Sequence, residues 1–183
     1  MKSVTTKPTA LRPFELLLPQ DQINRRVREL ARQITEDYAG ESPVLIGVLK
    51  GCMVFLPDLM RHIKLPVEVE FIAATSYRIG MKREDDIVFI GGFSSDLKNR
   101  HVLIVEGIVD SGRTASLVIS RLRKMEPASV EVVTLLDKPG CHRTKIDLKY
   151  KGFSVGNDFV IGFGLDNAQS YRNLPFIGRL IDR

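Results

Sequence analysis

Residues 102–116, VLIVEGIVDSGRTAS, carry an apolar run into Glu106 and Gly107, on to a second acid at Asp110, and then into Ser111-Gly112-Arg113-Thr114 before helical spacing resumes. An apolar run this short reads as a buried strand, HVLIVEG (101–107), followed by a helix over SGRTASLVISRLRKM (111–125). At such a junction ligands bind outside the carboxyl edge of the sheet, and the first-turn amides of the helix are unpaired donors facing outward. Gly112 lets the backbone approach an anion closely, the hydroxyls of Ser111 and Thr114 add donors, and the helix dipole favours negative charge. Phosphate binding follows from these residue types; an ordinary strand-to-helix turn capped by a serine uses the same ones.

The same alternation extends to both sides. DQINRRVRELARQITEDYAG (21–40) repeats apolar residues at helical spacing, opening on Asp21 and stopping at Gly40. VLIGVL (44–49) is too short for a helix and reads as a buried strand, with MVFLPDLMRHI (53–63) helix-like after it despite Pro57. VEVEFIAATS (67–76), IVFIGG (87–92) and SVEVVTLLDK (129–138) read as further strands, and SYRIGMKREDD (76–86) is the most loop-like and charged stretch. Strands alternating with helices predict an α/β fold: a mostly parallel sheet with helices on both faces. From Gly140 onward, FSV, DFVIGFGLD and NLPFIGRL are short strand-like pieces broken by Gly, Asn and Pro, which predicts a small C-terminal subdomain leaning over the sheet.

With 183 residues and 44% hydrophobic content, one core and a single domain over 1–183 are expected. The net charge of +5 suits a phosphate-ester ligand, and equally weak nucleic-acid contact. The basic residues are intermixed with acids and form no block, so nucleic acid is not the expected partner. Cys52 and Cys141 have neither zinc-ligand nor disulfide-framework spacing, and no stretch approaches the ~18 apolar residues of a membrane span. A cytoplasmic protein without a membrane partner is expected.

Two phosphate loops fit the junction. Gly107 to Thr114 comes within one residue of the G-x-x-x-x-G-K-[ST] loop of nucleotide triphosphatases, but Arg113 stands where the lysine belongs, and a planar guanidinium does not replace a compact point charge. The closer fit is an apolar strand, an acid, two apolar residues, Asp, a small hydroxyl residue, Gly, any residue and Thr, which resembles the phosphoribosyl-pyrophosphate loop of the type I phosphoribosyltransferases. LKG (49–51), TSY (75–77), LLDKP (135–139), DFVIGFGLD (158–166) and YRNLPFIG (171–178) resemble the bacterial hypoxanthine-guanine phosphoribosyltransferases in the same order, over roughly residues 15–183.

This resemblance implies purine salvage: hypoxanthine or guanine and phosphoribosyl pyrophosphate give IMP or GMP and pyrophosphate, with Mg2+ as cofactor. It implies Asp110 and Lys138 as catalytic residues, and Asp110, Ser111, Gly112, Arg113 and Thr114 as the 5-phosphate cradle. Lys50, Gly51 and Arg172 would hold pyrophosphate; Ser76 and Tyr77 would belong to a closing loop. Phe159 would stack on the purine, Lys138 donate to its 6-oxo group, and Val160 read its edge. Asp166 would serve the base site and, with Glu106, the metal. The hood would come mainly from 140–183 and part of the N-terminal segment, and the assembly would be a homodimer or homotetramer. The family has Glu-Asp at the ribose hydroxyls where this chain has Glu106-Gly107; this chain also has Asn167 after the metal aspartate, where the family often has an aromatic residue, and Gln169 two positions later. The resemblance therefore implies reduced activity from Gly107, and a gain on Gly107→Asp. A degenerate regulator or RNA-binding sensor is the alternative, disfavoured because a sensor has no need of the proton acceptor Asp110.

Overall fold

A computed structural model describes residues 12–76, 87–90 and 96–181, with 74–76 and 87–90 described by their backbone alone. The opening stretch forms β5 (His101–Val109) and α3 (Arg113–Arg123). β2 (Val44–Leu49), β3 (Glu68–Ser76), β4 (Ile87–Ile90), β6 (Ser129–Asp137) and β7 (Tyr150–Ser154) complete a six-stranded sheet in the order β4-β3-β2-β5-β6-β7. All neighbours are parallel except the β3–β4 pair.

The two-residue period of the strands divides the core between the faces. Leu45, Leu103, Val105 and Val133 pack with α1 (Gln20–Asp37) and α2 (Phe55–His62), whereas Val44, Ile46, Val102, Ile104 and Val132 pack with Val118 and Leu122 of α3. Helices therefore cover both faces, as the alternation of elements predicts. In α1 the buried residues are Ile23, Val27, Leu30, Ala31 and Ile34, and Asp21 lies in the first turn, where its charge suits the helix dipole. Pro57 is tolerated because it falls in the first turn of α2, where the backbone N–H has no intrahelical partner to lose.

A second, antiparallel sheet has the order β1-β9-β8, from β1 (Phe14–Leu18), β8 (Val160–Ile161) and β9 (Ile177–Leu180). The segment read from sequence as belonging to the tail divides: β7 joins the large sheet beside β6. It is drawn there by Tyr150, fully buried, whose hydroxyl donates to Asp37 at 2.6 Å, and by Gly152, which lies against the Leu135 carbonyl where a Cβ would not fit.

Candidate active site

β5 runs on through Gly107 to Val109, so the loop at its end is only Asp110-Ser111-Gly112. The eight-residue loop of the triphosphatase pattern is therefore not formed, because its first three residues are strand. Gly112 caps α3 with φ 78°, a left-handed conformation that glycine adopts freely. A Cβ there would also lie 2.9 Å from Ile146 Cγ1 and 3.0 Å from the Thr144 carbonyl, so the 143–146 segment braces the loop, helped by the Arg143 N–H donating to the Ser111 carbonyl at 3.0 Å. Asp110, Ser111, Gly112 and Thr114 line a cavity of about 100 Å³, with Glu106 in its wall. Arg113 is exposed on the first turn of α3 and does not line it.

Asp110 also borders a cavity of about 300 Å³. Lys50 and Gly51 enter it from the end of β2, Lys138 from the end of β6, and Phe159, Val160, Asp166 and Arg172 from the segment around β8. The Leu49–Lys50 peptide is cis. Lys138 is buried, and its ammonium donates to Asp110 Oδ2 at 3.2 Å. Phe159 is 53% exposed, a large ring left on the rim of a cavity. Arg172 pairs with Asp166 at 2.6 Å and donates to the Gly164 carbonyl at 2.7 Å, while Asp166 also accepts from the Gln169 N–H at 2.8 Å. Ser76 ends β3, where the backbone alone is described, and Tyr77 lies outside the described residues.

Sequence reasoning missed part of the wall. Ile108 and Leu165 line the larger cavity, although as apolar residues in strand-like runs they read as core. Gln169 accepts from Lys50 Nζ at 3.4 Å and Arg172 at 3.5 Å; its neighbours Ala168 and Tyr171, like Gln169 itself, have positive φ, which no sequence pattern announces.

Gly107 has a different meaning in three dimensions. A Cβ at this position would press into the Gly51 carbonyl oxygen, 2.8 Å from its carbon and 3.2 Å from Leu165 Cδ2. Gly164 also approaches this oxygen, and a Cβ there would lie 2.8 Å from it. Two glycines thus crowd the Gly51 carbonyl oxygen, and a side chain at 107 would run into the Lys50–Gly51 turn. This geometry argues against the gain expected on Gly107→Asp, because an aspartate there requires the Gly51 backbone to shift.

Glu106 is buried, and loss of hydration pushes its carboxyl from 4.5 up to about 8. Unfolded, the same carboxyl ionises near 4.5, so between 4.5 and 8 the native state binds the extra proton. Stability of the ligand-free protein should fall by roughly 1.4 kcal/mol per pH unit within that window and level off on either side. Urea midpoints of the parent and Glu106→Gln, measured at pH 5 and pH 9, check this. The variant should lose less on going to pH 9, and an identical drop in both proteins would contradict the burial effect.

The phosphoribosyl transferase domain family matches residues 16–168. The hypoxanthine phosphoribosyltransferase of Escherichia coli strain K12 is 42% identical over 169 residues, 91% of this chain and 95% of that protein, and the Salmonella typhimurium enzyme of the same name is 41% identical over the same shares. A hypoxanthine-guanine phosphoribosyltransferase structure from Bacillus anthracis superposes with a TM-score of 0.86 at 36% identity, covering 91% of this chain and 98% of the other. A Staphylococcus aureus hypoxanthine phosphoribosyltransferase structure gives 0.86 at 37%, covering 91% of both. A short strand-end loop ahead of a helix N-terminus, a second cavity sharing its aspartate, and likeness along nine-tenths of the chain agree: this chain belongs to the type I phosphoribosyltransferase family, in its hypoxanthine phosphoribosyltransferase branch.

Proposed function

We propose that the protein is a purine-salvage transferase that joins hypoxanthine or guanine to the ribose 5-phosphate of phosphoribosyl pyrophosphate, releasing pyrophosphate. The observation that carries this reading is the pair of cavities joined at Asp110: one phosphate-sized and at a helix N-terminus, the other edged by an aromatic ring and floored by a buried lysine. The 5-phosphate fits the first, held by the amides of α3 with the Ser111 and Thr114 hydroxyls. The base fits the second, stacked on Phe159, with the Val160 carbonyl at its edge and Lys138 donating to the 6-oxo oxygen. A 6-amino group would turn hydrogens toward that ammonium, so the lysine selects oxopurines.

The purine nitrogen attacks C1 of the ribose as the bond from C1 to the pyrophosphate oxygen breaks. Asp110, beside the imidazole edge, takes the proton the purine gives up. Lys50, the Gly51 backbone and Arg172 receive the departing pyrophosphate with positive charge and donors. Among the described residues no group of three or more side chains forms a metal cage. That fits magnesium, which keeps its waters and takes most of its ligands from substrate phosphates, with Glu106 and Asp166 as the carboxylates that would face it. When bound, it neutralises charge on the pyrophosphate. We place the reaction in the cytoplasm, in a homodimer or homotetramer; no described helix is long and apolar enough to cross a membrane.

Initial rates with hypoxanthine, guanine, xanthine and adenine, at fixed donor and magnesium, test this reading. Turnover of a 6-oxopurine with adenine inert is expected, and equal use of adenine would overturn it. Lys138→Ala should raise KM for the base while KM for the donor stays nearly constant, since the lysine addresses only the base. Equal losses for both substrates would remove Lys138 from the base site.

A further inference from the structure

The last residue of β6, Asp137, is buried, with only 3% of its side chain exposed, and nothing in the proposed reaction uses it. A buried carboxylate is costly unless cations or donors meet it. Here His142 Nε2 lies 2.7 Å from Oδ1, and Lys151 Nζ, reaching across from β7, lies 3.3 Å from Oδ2. The carboxylate only accepts, so Nε2 carries the hydrogen.

Asp137 immediately precedes Lys138, and the chain then makes a tight 3-10 turn over Pro139–Cys141 that returns His142 to Asp137. The backbone of Lys138 is gripped at both ends: its N–H donates to the Val109 carbonyl at the tip of β5, and its carbonyl accepts from the Cys141 N–H, both at 2.9 Å. The Asp137–His142 bond closes this turn across its two flanks. Its side chains and backbone therefore fix the origin of Lys138, whose ammonium reaches Asp110 at the floor of the cavity.

We propose that Asp137, acting through His142 with Lys151 balancing its charge, is a positioning residue that aims Lys138 at the purine. It touches neither substrate. The proposal rests on the base-site role given to Lys138 above and adds what keeps that lysine aimed. Loss of the tie should let the 139–142 turn relax and Lys138 drift from the 6-oxo position, weakening oxopurine binding and its discrimination from 6-aminopurines, with the phosphate loop left as it is.

The test compares KM for hypoxanthine and for the donor, with kcat and the inhibition constant of adenine, in the unaltered protein, His142→Ala, His142→Gln and Asp137→Asn. His142 is partly exposed, so its variants carry the test even where Asp137→Asn does not fold. In His142→Ala the KM for hypoxanthine should rise about tenfold, with donor KM within twofold and adenine inhibiting no less than before. His142→Gln, which restores an N–H donor, should recover most of the loss, as a mere cavity effect would not. Unchanged KM for hypoxanthine in His142→Ala, or parallel losses for both substrates, would overturn the proposal. An unaltered protein inactive with every oxopurine would instead overturn the proposed function, so the two failures are distinguishable.

Discussion

Asp110→Asn is expected to leave fold, phosphate cavity and donor binding in place and to lower kcat by roughly 10²- to 10⁴-fold, the usual worth of a positioned acid or base. Asparagine is nearly isosteric and still offers Lys138 an oxygen, so the contact now made at 3.2 Å keeps an acceptor. The basicity at the imidazole edge is lost. Among the described residues Asp110 alone borders both cavities as a charged group, which is why a single-atom change should cost so much more in rate than in binding. Steady-state kinetics alongside a thermal melt checks it; undiminished kcat in a folded variant would take the proton-accepting role from Asp110.

Gly107→Asp and Gly107→Ala should both weaken the protein toward its donor. Any Cβ at 107 must displace the Gly51 carbonyl, whose oxygen Gly164 also approaches closely, so the Lys50–Gly51 turn has to move. Forcing atoms into such a site typically costs about 1–3 kcal/mol, or roughly five- to 150-fold if all of it falls on donor affinity. The pair of variants separates two explanations. If glycine marks a lost carboxylate, aspartate gains and alanine does not. If glycine marks a close approach, both lose, and donor affinity with melting temperature will report it. Tighter donor binding in Gly107→Asp would restore the lost-carboxylate explanation.

Gly107 also shows where sequence stops being informative. Along the chain it stands beside an acid where the family resemblance calls for aspartate, and only the packing of β2, β5 and the 162–165 turn reveals the carbonyl opposite it. The β5–α3 junction, by contrast, was legible because every determinant is local: the apolar run, the hydroxyls and the left-handed glycine lie within fifteen residues. β1 was not legible. FELLL carries no strand alternation, sits between prolines, and becomes a strand only by pairing with β9, as in Phe14 with Leu180.

The candidate site divides in the same way. The types of its residues could be read, but not their coupling. The Asp166–Arg172 pair spans six residues of irregular chain, and the Asp137–His142 tie closes around a 3-10 turn that a proline and a glycine only hint at. The burial of Lys138 and of Glu106, which sets what each can do, depends on neighbours from other strands.

The central claim is that one pocket exchanges pyrophosphate for a 6-oxopurine at the ribose carbon. Its most direct test is to incubate the protein with phosphoribosyl pyrophosphate, magnesium and hypoxanthine, and to quantify nucleotide and pyrophosphate together. One IMP should appear for each pyrophosphate released, with neither formed when the base is omitted. Release of pyrophosphate without IMP, or no product from hypoxanthine or guanine at all, would contradict the account.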